Sequence, residues 1–173
     1  MTKTTRLLVD HIATPVGQLA VLADEAGRLH AVGFMDGHAR MELALERGAP
    51  TPAKNPGGFT DALRAYFDGE LAAIEGLEVA FGGTAFQRDV WSGLLTIPCG
   101  ETRSYGELAR QVGRPKAVRA VGLANGSNPI AIVVPCHRVI GSNGTLTGYG
   151  GGLERKRWLL EHEGVTLAEA RSA

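Results

Sequence analysis

Of the two cysteines in this 173-residue chain, Cys136 has the neighbours that chemistry needs. It follows Pro135 and precedes His137 and Arg138, at the end of the apolar run Ile130-Ala131-Ile132-Val133-Val134. A run this apolar and β-branched reads as a buried strand or core segment. Proline cannot donate a backbone hydrogen bond, so regular structure should break at Pro135. The thiol is thus delivered to the floor of the fold at a backbone break, beside two basic side chains, and neighbouring cations lower a thiol's pKa. The chemistry on offer is nucleophilic displacement. A free thiol of pKa about 8.5 is only about 3% thiolate at pH 7, so full ionisation gains about 30-fold, some 2 kcal/mol. Protonation of the leaving group must add to this, as must held geometry, which contributes about 7–11 kcal/mol. His137 is the nearest base in sequence, although neighbours in a strand point to opposite faces. A break after Pro135 would turn both toward one site, directly or through a water. A carboxylate is then expected to orient the imidazole, and Glu163, at the end of the last helix, is the best placed. The competing reading of Cys136 alone is a buried inert thiol.

The elements around this stretch must hold it. Thr84 reads as a helix N-cap, with Phe86, Val90, Trp91, Leu94 and Leu95 following at helical spacing until Pro98-Cys99-Gly100. Cys99 has no basic neighbour and reads as structural. Ser104-Tyr105-Gly106-Glu107 matches a capping box opening a helix to about Val112. Gly113 ends it, and Pro115 suits the first turn of a second helix that closes near Asn125-Gly126. Two short helices joined by a glycine turn form a helix-turn-helix pattern. Five cations (Arg103, Arg110, Arg114, Lys116, Arg119) and one acid, Glu107, lie between Arg103 and Arg119. Lys116 and Arg119, three apart, should share a helix face. Nucleic-acid contact follows as one reading, and a solvated helical hairpin as the other. Residues 141–152 hold six glycines and Tyr149 but lack the lysine of a phosphate loop, and read as a pliable loop beside Cys136. Leu153 to His162 reads as a helix with Arg155, Lys156 and Arg157 in its first turns and Trp158, Leu159 and Leu160 packing.

The first half carries no catalytic constellation. Residues 5–13 and 17–23 read as a hairpin around Thr14-Pro15-Val16-Gly17, with a third strand over 28–35. His38 to Arg47 reads as a helix. Residues 49–58, with three prolines and two glycines, read as a loop. Phe59 to Phe67 reads as a short helix with Leu63, Tyr66 and Phe67 inward. His11, His30 and His38 share no ligand spacing and read as structural or surface.

Composition sets the bounds. The length suits one ordinary domain or two small ones, and Gly82-Gly83 marks a boundary between residues 1–83 and 84–173. With 18 basic and 18 acidic residues the net charge is zero, yet the halves carry −4 and +4, so only the second is suited to a polyanion. Two cysteines make no disulfide framework, which favours a reducing compartment. Neither a signal peptide nor the roughly 20-residue apolar run of a membrane span is present, so a cytoplasmic location is expected.

Pro135-Cys136-His137-Arg138-Val139 resembles the active-site signature of the O6-alkylguanine-DNA alkyltransferases. The resemblance continues through Phe86-Gln87-Arg88, Ile97-Pro98, Ser104-Tyr105-Gly106, the stretch Arg114 to Gly122, Asn125 to Pro129, Thr147-Gly148-Tyr149 and Trp158 to Gly164. It is dense over residues 84–164, looser before, and most similar to the bacterial stand-alone form. The resemblance implies an α+β protein: an N-terminal ribonuclease-H-like antiparallel sheet with helix as scaffold, and a mostly helical, winged-helix-like second domain. It implies a single-turnover repair protein that flips O6-alkylguanine, and also O4-alkylthymine, out of duplex DNA and moves the alkyl group to its own cysteine. Cys136 would be the nucleophile, His137 would take its proton through a water, and Glu163 would hold His137. Tyr105 would protonate the departing guanine and rotate the phosphate. Arg119 would fill the base stack, with the second helix in the minor groove, while Arg103, Arg110, Arg114 and Lys116 bind phosphates. Asn128 would brace the turn before the active-site segment, and Tyr149, Val139 and Gly150 would line the base pocket. No metal and no cofactor are implied, and the protein would be a monomer in solution that clusters on DNA. Three rivals remain: a cysteine hydrolase using Cys136, His137 and Glu163; a helix-turn-helix regulator with a structural Cys136; and an alkyltransferase-like binder, a class that lacks the cysteine present here.

Overall fold

The computed structural model describes residues 5–36 and 48–167; the helix expected over His38 to Arg47 lies outside them. By its contacts the chain divides into two units: one runs up to Phe81 and takes back Pro129–Val133, and the other comprises Gly82–Asn128 and the chain from Val134 onward.

In the first unit, β1 (Leu7–Thr14) and β2 (Gly17–Asp24) pair antiparallel from Thr14↔Gly17 to Leu7↔Asp24. The Thr14 hydroxyl donates to the Gly17 carbonyl at 2.6 Å and accepts from the Val16 amide, which closes the turn. β3 (Leu29–Phe34) pairs antiparallel with β2. Leu19 to Asp24 are buried without alternation, the signature of a central strand covered on both faces. Buried Asp24 closes the β2–β3 turn by accepting from the amides of Ala26 and Arg28 and from the side chains of Arg28 and His30. Burial pushes its carboxyl up, but the His30 and Arg28 contacts outweigh this and hold it at about 2.

The proline-rich stretch read as loop contains a two-residue strand, β4 (Thr51–Pro52), which lies parallel to β1 and completes the order β3-β2-β1-β4. Proline is tolerated there because β4 is an edge. Helix α1 (Phe59–Phe67) buries Phe59, Leu63 and Tyr66, whereas Phe67 is only half-buried. Asp10 anchors its start by accepting from the Asn55 amide and the Thr60 hydroxyl.

The run Ile130 to Val134 is a core segment and not a strand. Ile130 makes one bridge to Val32, and the chain then turns. Ile132 turns with φ 73, a conformation that costs a β-branched residue about 1–3 kcal/mol; a regular strand cannot pass through it.

The second unit is helical. Helix α2 (Ala85–Leu94) opens on a capping box between Thr84 and Gln87 and buries Val90, Trp91 and Leu94, while Leu95 beyond it is exposed. Gly93 lets α2 and the next helix meet: a Cβ there would lie 2.8 Å from Val112 and 3.3 Å from Leu108. β5 (Arg103–Ser104) leads through the Ser104–Glu107 capping box into α3 (Tyr105–Gln111). Helix α4 (Val118–Gly126) begins three residues after Pro115, because Ala117, at φ −105 and ψ 37, is not helical. Lys116 therefore lies ahead of the helix and does not share its face with Arg119. β6 (Val139–Ile140) runs parallel to β5, pairing Arg103↔Val139 and Ser104↔Ile140. Helix α5 (Leu153–His162) is the last element of the described structure. No helix among the described residues is long and apolar enough to cross a membrane.

Candidate active site and nucleic-acid interface

The break at Pro135 leads into a 3-10 turn, Cys136–Arg138, in which all three side chains are buried. Neighbours in such a turn are about 120° apart, which resolves the opposite-face problem of a strand. His137 Nε2 lies 2.9 Å from Glu163 Oε2, as the expected orienting carboxylate requires. His137 Nδ1 is buried and has no hydrogen-bond partner among the described residues. Burial holds the imidazole below its usual pKa, against the pull of Glu163; the ring is neutral, and its Nε2–H donates to the Glu163 carboxylate.

Arg138 departs from its expected place beside the sulfur. Its Nε and Nη2 donate to Glu163 Oε1 and Oε2 at 2.7 and 3.0 Å, and its Nη1 donates to the Ile97 carbonyl at 2.7 Å. It clamps the carboxylate and does not lower the thiol's pKa. Burial pushes the Glu163 carboxyl up, but His137 and Arg138 together bring it down to about 2.

The expected low pKa of Cys136 is corrected accordingly. Burial pushes the thiol above its usual value, and a hydrogen bond from Asn128 and the charge of Lys156 offset this only in part. The resting sulfur is a protonated thiol. Asn128 also donates to the Val134 carbonyl at 2.7 Å, tying the end of α4 to the residue two before the cysteine. Asn125, buried on α4, lies 3.5 Å from the Cys136 carbonyl.

Lys156, one of three adjacent cations read as the start of a helix, is fully buried. Its Nζ donates to the Thr147 carbonyl at 2.7 Å and sits 6.0 Å from the centre of the Tyr105 ring. The Tyr105 hydroxyl donates to the same carbonyl at 3.1 Å. Burial lowers the lysine's pKa to about 8, against the attraction of Cys136. A signal for this residue existed. Lys156, Leu159, Leu160 and Glu163 fall at i, i+3, i+4 and i+7, the buried stripe of a helix.

The glycine-rich loop thus supplies the Thr147 oxygen that fixes Tyr105. The β5–β6 register brings the start of α3 level with Val139, which is fully buried. Tyr149 is half-buried; burial, then the negative charge that Cys136 can carry, pushes its phenol well above the usual range. Gly150 is exposed in the same loop.

Arg110, Arg114, Lys116 and Arg119 are exposed and have no ion-pair partner among the described residues. Arg103 differs: it is half-buried and pairs with Glu101 at 3.3 Å. On α4, Arg119, Leu123 and Gly126 are exposed, away from the face that buries Val121, Ala124 and Asn125, and Gly122 lies against the Tyr105 ring, 3.7 Å from where its Cβ would be. The unit thus joins a buried thiol, a neutral imidazole held by a carboxylate, and a set of unneutralised cations. That set suits alkyl or acyl transfer from a polyanion.

Comparison with known proteins gives the same picture. Residues 85–165 match the family described as "6-O-methylguanine DNA methyltransferase, DNA binding domain", and residues 7–81 match its "ribonuclease-like domain". A relative from Salmonella typhimurium, a methylated-DNA–protein-cysteine methyltransferase, is 57% identical over 94% of this chain and 98% of its own. The crystal structure of the Mycobacterium tuberculosis O6-methylguanine methyltransferase aligns with a TM-score of 0.80 at 47% identity, over 96% of this chain and 95% of that one. A structure of the same organism's OGT in complex with DNA aligns at 0.80 and 51% identity, over 91% and 93%. With this coverage at this identity, the chain belongs to the 6-O-methylguanine DNA methyltransferase family.

Proposed function

We propose that this chain repairs DNA by moving the alkyl group from O6 of a guanine onto the sulfur of its own Cys136, once and irreversibly. The observation that carries this reading is the buried His137–Glu163 contact of 2.9 Å beside Cys136, in the unit that also bears the unpaired cations. The thiol proton passes to His137 Nδ1, through a water, and the imidazolium so formed is stabilised by Glu163. The thiolate attacks the sp³ carbon; a carbon–sulfur bond forms as the carbon–oxygen bond breaks. The electron pair goes to the purine, which takes a proton from Tyr105. The product thioether has no good leaving group, so water does not restore the thiol.

Lys156 supports two of these steps. Its charge stabilises the thiolate as it forms, and the carbonyl it shares with Tyr105 sets that phenol's position. Asn128, Val139, Tyr149 and Gly150 line the pocket for the base. The target is an extruded nucleotide, because a base inside the stack is out of reach, and extrusion costs a few kcal/mol, least at a damaged pair. Arg110, Arg114, Lys116 and Arg119 hold the duplex, with a weaker share from Arg103; Arg119 fills the gap left in the stack. O4-alkylthymine is a second substrate. The chemistry and DNA contacts belong to residues 84–173, with residues 1–83 as scaffold. The chain acts in the cytoplasm, is a monomer in solution, clusters on DNA, and needs no cofactor or metal.

The test is incubation with duplex DNA carrying O6-methylguanine, followed by peptide mapping. One methyl per chain on Cys136, and none in Cys136→Ser despite retained DNA binding, is the expected result. Repeated turnover, an adduct elsewhere, or transfer by Cys136→Ser refutes the assignment.

A further inference from the structure

Helix α4 presents an unusual outer face. Arg119 and Leu123 are its long exposed side chains, flanked by Val118, 40% exposed, and Ala120; Gly126 has nothing within 4 Å of where a Cβ would stand, and Gly122 lies against the Tyr105 ring, 3.7 Å from where its Cβ would be. Leu123 is 70% exposed, the most exposed large apolar residue among those described. It stands one turn beyond Arg119, so the two side chains lie over the same side of the helix. Nothing in the first unit's core or the second's accounts for a leucine placed there; the buried side of α4 is filled by Val121, Ala124 and Asn125. The face offers no Asn, Gln, Ser or acid that would read base edges. Arg110 on α3, and Arg114 and Lys116 in the turn that leads into α4, are exposed and without ion-pair partners among the described residues. Cations that attract a polyanion, small residues that permit close backbone approach, and a leucine left 70% exposed form the composition of a DNA wedge, in which leucine is a common inserted residue.

We infer that Leu123 is a second DNA-contacting wedge, entering the duplex beside Arg119 and packing on deoxyribose and base edges next to the extruded nucleotide. This inference rests on the function proposed above. Arg119 meets the duplex as a charge, whereas Leu123 gains by losing water, so the two contributions separate by salt: the first weakens as salt rises, the second does not. Leu123 does not reach the sulfur's chemistry and acts only when a duplex is present.

The experiment compares wild type with Leu123→Ala, Leu123→Asn and Leu123→Met, measuring the rate of methyl transfer from O6-methylguanine duplex and from the free alkylated base. Leu123→Ala and Leu123→Asn should slow duplex repair about tenfold, the value of roughly half-burying a leucine. The loss should persist at high salt, while reaction with the free base is unchanged. Leu123→Met, which keeps an aliphatic group of similar size, should restore the duplex rate. Thermal melts check that these exposed changes leave the fold intact. If wild type is methylated by the duplex and all three variants match it, the wedge is refuted and the alkyl-transfer reading stands. Equal losses on duplex and free base also refute it, since they would place the effect in the chemistry. If wild type itself takes no methyl from duplex, the alkyl-transfer reading fails, and the wedge fails with it.

Discussion

Replacing Glu163 by glutamine tests the centre of the proposed site. The carboxylate accepts from His137 Nε2, Arg138 Nε and Arg138 Nη2, all within 3.0 Å. An amide has one oxygen and one NH2 in its place, so it meets at least one of these donors with a donor of its own. It also leaves the buried guanidinium of Arg138 without a counter-charge, and stranding one member of a buried pair typically costs about 3–5 kcal/mol. The titration gives a similar size. Glu163 falls from 4.5 to about 2 on folding, a drop equivalent to about 3 kcal/mol. Because its folded pKa is depressed, that stability is present in full above about 4.5 and is lost as pH falls toward about 2. The assay is urea unfolding of wild type and Glu163→Gln at pH 7 and at descending pH. The stability gap should be about 3 kcal/mol or more at pH 7 and close between pH 4.5 and 2. Methyl transfer at pH 7 should fall roughly 100-fold with the loss of the oriented base. A gap below about 1 kcal/mol, the worth of a surface pair, or a gap that does not change with pH, refutes the clamp.

Other outcomes follow from the same geometry. Lys156→Met should stabilise the fold, by about 1–3 kcal/mol at pH 7, because it removes a buried charge, yet slow methyl transfer. The lysine's folded pKa of about 8 against 10.5 means that wild type regains this difference as pH rises from 8 to 10.5, and melts across that range check it. Arg119→Ala should weaken duplex repair and lessen its salt dependence, leaving reaction with free alkylated base unchanged; equal losses on both substrates would remove it from the DNA face. Alkylated protein should be less stable than unreacted protein by about 1–3 kcal/mol, since Cys136 is only 7% exposed, and calorimetry before and after reaction measures it.

Local signals in the sequence located local structure well. The capping residues Thr84 and Ser104, with Gln87 and Glu107 three positions on, mark the starts of α2 and α3 because a cap is decided by a few adjacent groups. The start of α4 was less legible: Pro115 permits a first helical turn but does not compel one, and Ala117 supplies no side-chain cap. Glu163 was legible as the partner of His137 from its place at the end of the last helix. Arg138 was not, since adjacency to a cysteine says nothing about where a long side chain ends. The raised thiol pKa was hidden for the same reason, because burial depends on the whole fold and outweighs the cations visible nearby. Lys156 stood between Arg155 and Arg157, and only the buried stripe of α5 distinguishes it from them.

The Thr147 oxygen has a consequence for how this protein changes over generations. Tyr105 and Lys156 come from different helices, yet both hang from that one main-chain atom. Gly148, which follows it at φ 45, is a position where most replacements would bend the chain. A single codon change there would be inherited as two defects at once, in the phenol and in the ammonium. Their effects would be epistatic, so compensation by altering either residue alone would fail, and the way back would run through the loop itself.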